Sequence, residues 1–96
     1  MFIVILRFSE NKSQVSAFMD GHNQWIRDGF EEGIFLMVGS LQPGLGGSVI
    51  AHGLTREALE SRVSEDPFVR ENIVTSEILE IEPTKADQRL NFLLDR

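Results

Sequence analysis

The stretch Phe2-Ile3-Val4-Ile5-Leu6 constrains this chain more than any other, because it is apolar at every position. It is too short for a helix and gives way to the polar cluster Ser9-Glu10-Asn11, so it reads as a strand over residues 2–8. Successive side chains of a strand point to opposite faces. Phe2, Val4 and Leu6 therefore point one way, and Ile3 and Ile5 the other. Ile34-Phe35-Leu36-Met37-Val38 repeats the pattern. An antiparallel sheet with one wet face would alternate apolar and polar residues, so this sheet needs cover on both faces.

Two helices supply part of that cover. Ser13 opens a pattern in which Val15, Phe18, Met19, His22, Trp25, Ile26 and Phe30 share one helical face. Asp20, Asn23, Gln24, Arg27 and Asp28 fall on the other, and Gly33 is a C′ residue. Gly21 and Gly29 interrupt the helix, each at a cost of about 1 kcal/mol against alanine. A second strand runs from Ile34 through Gln42. Pro43-Gly44-Leu45-Gly46-Gly47 turns the chain, and Ser48 to Leu54 returns as a third strand. Thr55 is an N-cap for the next helix, with Leu54 and Leu59 as its hydrophobic staple and Ala58, Leu59 and Val63 as its core face. Asp66 at a second N-cap and Pro67 at N1 start a short turn through Phe68-Val69-Arg70. Ile73 to Ile81 is a fourth strand, with Glu77, Glu80 and Glu82 at exposed positions and Pro83 as its stop. Ala86 to Leu94 is weakly amphipathic through Leu90, Leu93 and Leu94 and is expected to form a tail helix.

The order strand, helix, strand, strand, helix, strand is the split βαβ, or ferredoxin-like, α+β pattern with an antiparallel sheet. One such domain is expected over residues 1–83, with a tail over 84–96. Both helices cover the same sheet face. The other face would expose a large apolar patch, the mark of an interface, and packing two sheets face to face about a two-fold axis makes a homodimer. The alternative is that the tail covers the second face of its own subunit, although its nine residues, 86–94, are few for such an area.

Composition removes several classes of function. A formal net charge of −6 and a pI near 4.8, with scattered arginines, give no footprint for a phosphate backbone. Nucleic acid and anionic membranes are not expected partners. The absence of cysteine excludes thiol nucleophiles and thiolate metal sites. The opening apolar run is too short for a secretory h-region and has no basic n-region before it. No stretch approaches the roughly 18 apolar residues of a membrane span. A cytoplasmic location is expected. His22 and His52 stand apart with no ligand spacing between them, so no metal site is expected. Gly44-Leu45-Gly46-Gly47 lacks a following lysine and leads into a strand, so it is no phosphate loop. No cofactor is implied.

His22 is the residue on the apolar helical face that demands an explanation. Its ring nitrogens need partners, and a backbone carbonyl in the core would serve as well as a catalytic group. Asp66 is explained as a helix cap alone. In a split βαβ unit, however, both helices pack on one sheet face and the two side chains can approach. A carboxylate-held imidazole is a usable acid/base at neutral pH. Ser40 is either a polar pocket contact or an ordinary strand-end serine. Ser64 is either a polar site contact or a solvated helix residue, Arg7 either a contact for an anionic substrate or an edge charge, and His52 reads as a surface or interface residue.

Taken together, these features resemble the YCII-related (YciI-like) proteins over residues 1–83. The resemblance rests on the apolar first strand, helical His22 followed by Trp25 and Ile26, Gly39-Ser40 at a strand end, the glycine-rich turn, and Asp66-Pro67-Phe68 before a last strand ending near Pro83. It implies a protomer of the dimeric α+β barrel kind, with a site built around His22 and Asp66. Many members carry Gly-Pro where this chain has Gly39-Ser40, which alters the pocket wall or places a hydroxyl in it.

Two functions follow as expectations. The first is a cofactor-independent enzyme in which His22, oriented by Asp66, moves a proton on a small organic molecule, as in isomerisation, elimination or hydrolysis. Its pocket would lie between helices and sheet, with Phe18, Trp25 and Phe68 as apolar walls and Ser40 as a polar contact. The second is a non-catalytic small-molecule-binding or accessory dimer. A purely structural role for His22 and Asp66 is the third possibility.

Overall fold

The computed structural model describes residues 1–94. Strand β1 (Phe2–Phe8) has the limits expected of the apolar run. A 3-10 turn (Lys12–Gln14) leads into helix α1 (Val15–Glu31), so Ser13 lies in that turn and does not cap the helix. Gly33 follows α1 with a φ of 75°, as its C′ role requires. Strands β2 (Phe35–Leu41) and β3 (Gly46–Ala51) form a hairpin. Helix α2 (Arg56–Ser64) starts at Thr55, whose side-chain oxygen accepts from the Ala58 N–H at 3.1 Å. The four-residue helix α3 (Pro67–Arg70) starts at Asp66, and β4 (Val74–Glu80) closes the sheet. The tail forms a 3-10 helix (Gln88–Leu94), not an α-helix, and its last two residues lie outside the described ones.

The sheet order is β2-β3-β1-β4, with every neighbouring pair antiparallel. This is the ferredoxin-like α+β fold. Phe2, Val4, Leu6, Val49 and Phe35 point to the helical layer and are buried there with Leu59 and Val63 of α2. Complete burial of a side chain such as Leu59 stabilises by about 1.5–3 kcal/mol. Ala58, expected in that core, is exposed. Among the described residues no helix is long and apolar enough to cross a membrane.

Two glycines of α1 are explained by close approach. A Cβ on Gly29 would fall 2.1 Å from the Phe35 ring, so α1 lies directly on β2 only because that side chain is missing. A Cβ on Gly21 would meet Pro67 Cγ at 3.0 Å, so α1 and α3 also meet through a glycine.

The unbroken apolar runs have two different causes. β1 is a central strand with Ile3 and Ile5 half-buried on the face away from the helices. In β2 the register with β3 shifts between Phe35 and Met37. This bulge sends Phe35 inward and Met37 outward, although they are two residues apart. On the outer face one row crosses all four strands: Met37, Ile50, Ile3 and Leu79. Met37 is 52% exposed and Leu79 43%. The next row is Gly39, Ser48, Ile5 and Glu77, so the apolar patch fades toward one end of the sheet.

Candidate functional site

The position of His22 on α1 follows from the helical wheel. At about 100° per residue, Phe18, Trp25 and Gly29 form one narrow stripe and Ile26, Met19 and Asn23 a neighbouring one, with His22 on the border. The first stripe enters the core. Trp25 is buried, packs edge-on against Phe35 with ring centroids 5.0 Å apart, and donates its indole N–H to the Arg62 carbonyl at 2.7 Å. Phe18 is half-buried against the same core. The second stripe borders a cavity between α1 and the sheet.

Asp66 meets His22 from α3. It is completely buried, and a buried carboxylate needs partners. Its Oδ1 accepts from the Phe68 N–H at 3.0 Å, which caps α3, and from His22 Nδ1 at 2.8 Å. Its Oδ2 is buried and has no hydrogen-bond partner among the described residues. A carboxylate only accepts, so Nδ1 of His22 carries the hydrogen and Nε2 is the nitrogen left for other work. The Phe68 ring lies parallel to the imidazole, 3.9 Å away and tilted by only 2°. The tripeptide Asp66-Pro67-Phe68 thus holds the imidazole by one edge and one face, while Pro67 sits against Gly21, the residue before His22. The His22 side chain is 14% exposed.

The cavity it borders has a volume of about 280 Å³. His22, Asn23 and Ser40 contribute polar groups, and Leu6, Phe8, Met19, Ile26, Val38, Val49, Phe68 and Val74 apolar walls. Of the expected site residues, His22, Ser40 and Phe68 line this space, and Asp66 stands behind His22. Trp25 and Phe18 do not line it; Met19 and Ile26 take the places assigned to them. Met19 and Ile26 lie three residues before and four after His22, but Phe18 and Trp25, four before and three after, are equally near it, so spacing alone does not choose between the two pairs. Asn23 was assigned to the polar face and reaches the cavity because the second stripe extends that far.

The remaining polar candidates lie elsewhere. Ser64 donates to the Glu60 carbonyl at 3.0 Å on an exposed turn of α2. Arg7 is exposed on the outer row with Thr75 and Gly46, on a central strand and not at an edge. His52 lines a larger cleft of about 650 Å³ between the end of β4 and the tail, with the Phe92 ring edge-on at 5.4 Å. Volume alone would favour that cleft. The smaller cavity is the candidate site because it holds an imidazole with a fixed hydrogen, facing an apolar space.

Fold and site together define a ferredoxin-like α+β domain with a histidine–carboxylate pair beside a small cavity. No protein-family profile matches the chain, and no curated protein matches it by sequence. Among solved structures it is similar to the 5-chloro-2-hydroxyhydroquinone dehydrochlorinase TftG from Burkholderia phenoliruptrix, determined in complex with 2,5-dihydroxybenzoquinone. The two share 13% sequence identity with a TM-score of 0.67, over 84% of this chain and 93% of that one. At that identity the likeness establishes the fold.

Proposed function

We propose that this chain is a cofactor-independent acid/base enzyme of the YCII-related kind, acting on a small organic molecule in the cavity beside His22. In this reading Nε2 of His22 takes a proton from the substrate. The imidazolium so formed is stabilised by the Asp66 carboxylate at Nδ1. The proton then returns to another substrate atom in an isomerisation, or passes to solvent as a leaving group departs in an elimination. Ser40 and Asn23 would orient the substrate, and Phe68 would hold the imidazole plane. The observation that carries the reading is the single Asp66 oxygen shared by the Phe68 N–H and His22 Nδ1, in a completely buried residue. A cap alone would not require an imidazole beside it. The similarity in fold to a dehydrochlorinase supports the same chemistry.

A non-catalytic binding role is favoured by one observation, the low exposure of the His22 side chain at 14%. Both readings are tested with 2,5-dihydroxybenzoquinone and a panel of substituted hydroquinones as probes. Wild type should show amide shifts at the cavity residues and proton exchange or elimination on at least one probe, and His22→Asn should abolish turnover. Binding with no turnover in either protein favours the binding role. No shift at the cavity with any probe overturns both.

The working unit in this reading is a homodimer in the cytoplasm. The row Met37, Ile50, Ile3 and Leu79 supports pairing through the outer sheet face. Light scattering should give twice the chain mass for wild type and the single mass for Leu79→Lys. A monomeric wild type would overturn the pairing.

A further inference from the structure

The cavity exists because one row of the sheet runs out of side chains. On the helix-facing side, register sets transverse rows across the four strands. One row is Val38, Val49, Val4 and Ile78, a continuous β-branched floor. The adjacent row is Ser40, Gly47, Leu6 and Ser76. At Gly47 that floor is bare backbone, and the cavity lies over it, bounded by Leu6, Ser40, Val38 and Val49.

Nothing in the backbone asks for glycine at this position. The contrast is with Gly46 next to it, whose φ of 139° and added Cβ, 1.9 Å from the Leu6 carbonyl oxygen, exclude a side chain. Gly47 has no such φ, and a Cβ there meets only the Gly39 carbonyl oxygen, at 3.4 Å, an ordinary contact. Glycine weakens a strand interior and often marks a close approach by a ligand. We infer that Gly47 is a specificity-determining residue, whose missing side chain leaves a flat slot between Leu6 and Ser40 that admits a planar, single-ring ligand beneath His22. The volume of about 280 Å³ lies at the lower end of small-molecule sites and suits one ring. The inference rests on the reading of this cavity as the ligand site.

Gly47→Ala and Gly47→Val test it against Ser76→Ala, in the same row but outside the cavity. Titration uses 2,5-dihydroxybenzoquinone and hydroquinone, with thermal unfolding and the His22 ring resonances read in parallel. Gly47→Ala should keep its melting temperature and the His22 signals and bind about tenfold more weakly or worse. Gly47→Val should bind more weakly again, and Ser76→Ala as wild type. Should Gly47→Val fail to fold, Gly47→Ala carries the test, since its Cβ meets nothing closer than 3.4 Å. Wild-type affinity in a folded Gly47→Ala overturns the role of Gly47 alone. Failure of wild type to bind either probe overturns the role together with the reading of the cavity.

Discussion

The two histidines lie in two clefts of opposite character. His52 borders the larger one, and its ring is met by the edge of Phe92, a half-exposed tail residue. His22 borders a space less than half that size, but a completely buried carboxylate fixes its hydrogen and a phenyl ring fixes its plane. The difference separates room from chemistry. A large cleft needs only a gap between elements. A directed imidazole needs the elements to converge on it, and here α1, α3 and the sheet do so.

The sharpest way to break this contrast is to remove Asp66. Asp66→Ala deletes the α3 cap and leaves His22 Nδ1 unpaired, a loss of roughly 2–4 kcal/mol from the two effects together. His52→Ala should lose about 0.5 kcal/mol or less, in line with surface substitutions. Urea unfolding of both variants measures the gap, and equal losses would erase the distinction. A double-mutant cycle over His22→Ala and Asp66→Asn comes next. It should return a coupling of about 1–3 kcal/mol, because the two groups are in contact. A coupling near zero would make Asp66 a cap and nothing more. Trp25→Phe removes the donor to the Arg62 carbonyl and should lose about 1 kcal/mol while leaving ligand binding intact, since Trp25 faces the core and not the cavity. Weakened binding at unchanged stability would return Trp25 to the pocket wall. The smallest effect is expected at Gly21→Ala. Helix propensity gains about 1 kcal/mol, opposed by the Pro67 contact, so net stability should change little. The readout there is the His22 tautomer, followed by long-range nitrogen–proton correlation. Neutral His22 should be Nδ1–H in wild type and lose that preference if Pro67 is pushed away, while His52 is unaffected.

Much of this was legible in the chain. The β1 run, the Thr55 and Asp66 caps, and Gly33 after α1 depend on residues within about one helical turn or one strand, where spacing and propensity act directly. The failures share one physical cause. Helical periodicity placed Phe18, Trp25 and His22 on one apolar face, yet that face is wide enough to meet two environments. Only packing decides that Trp25 turns into the core while Met19, Ile26 and Asn23 border the cavity. Ala58 fell outside the core for the same reason. The lack of alternation in β2 was visible, but its cause, a bulge that reverses the faces of Phe35 and Met37, belongs to the pairing with β3.

By itself, then, the sequence determined the strand and helix order, the caps, and the presence of a histidine and an aspartate able to meet. Tertiary structure alone decided that they do meet. The pair spans 44 residues, and its 2.8 Å contact depends on α1 and α3 approaching through the missing side chain of Gly21. The bare floor at Gly47 depends likewise on strand register, because a gap in a row exists only once the strands are aligned. Contacts of that range arise from packing complementarity between elements, which no local pattern encodes.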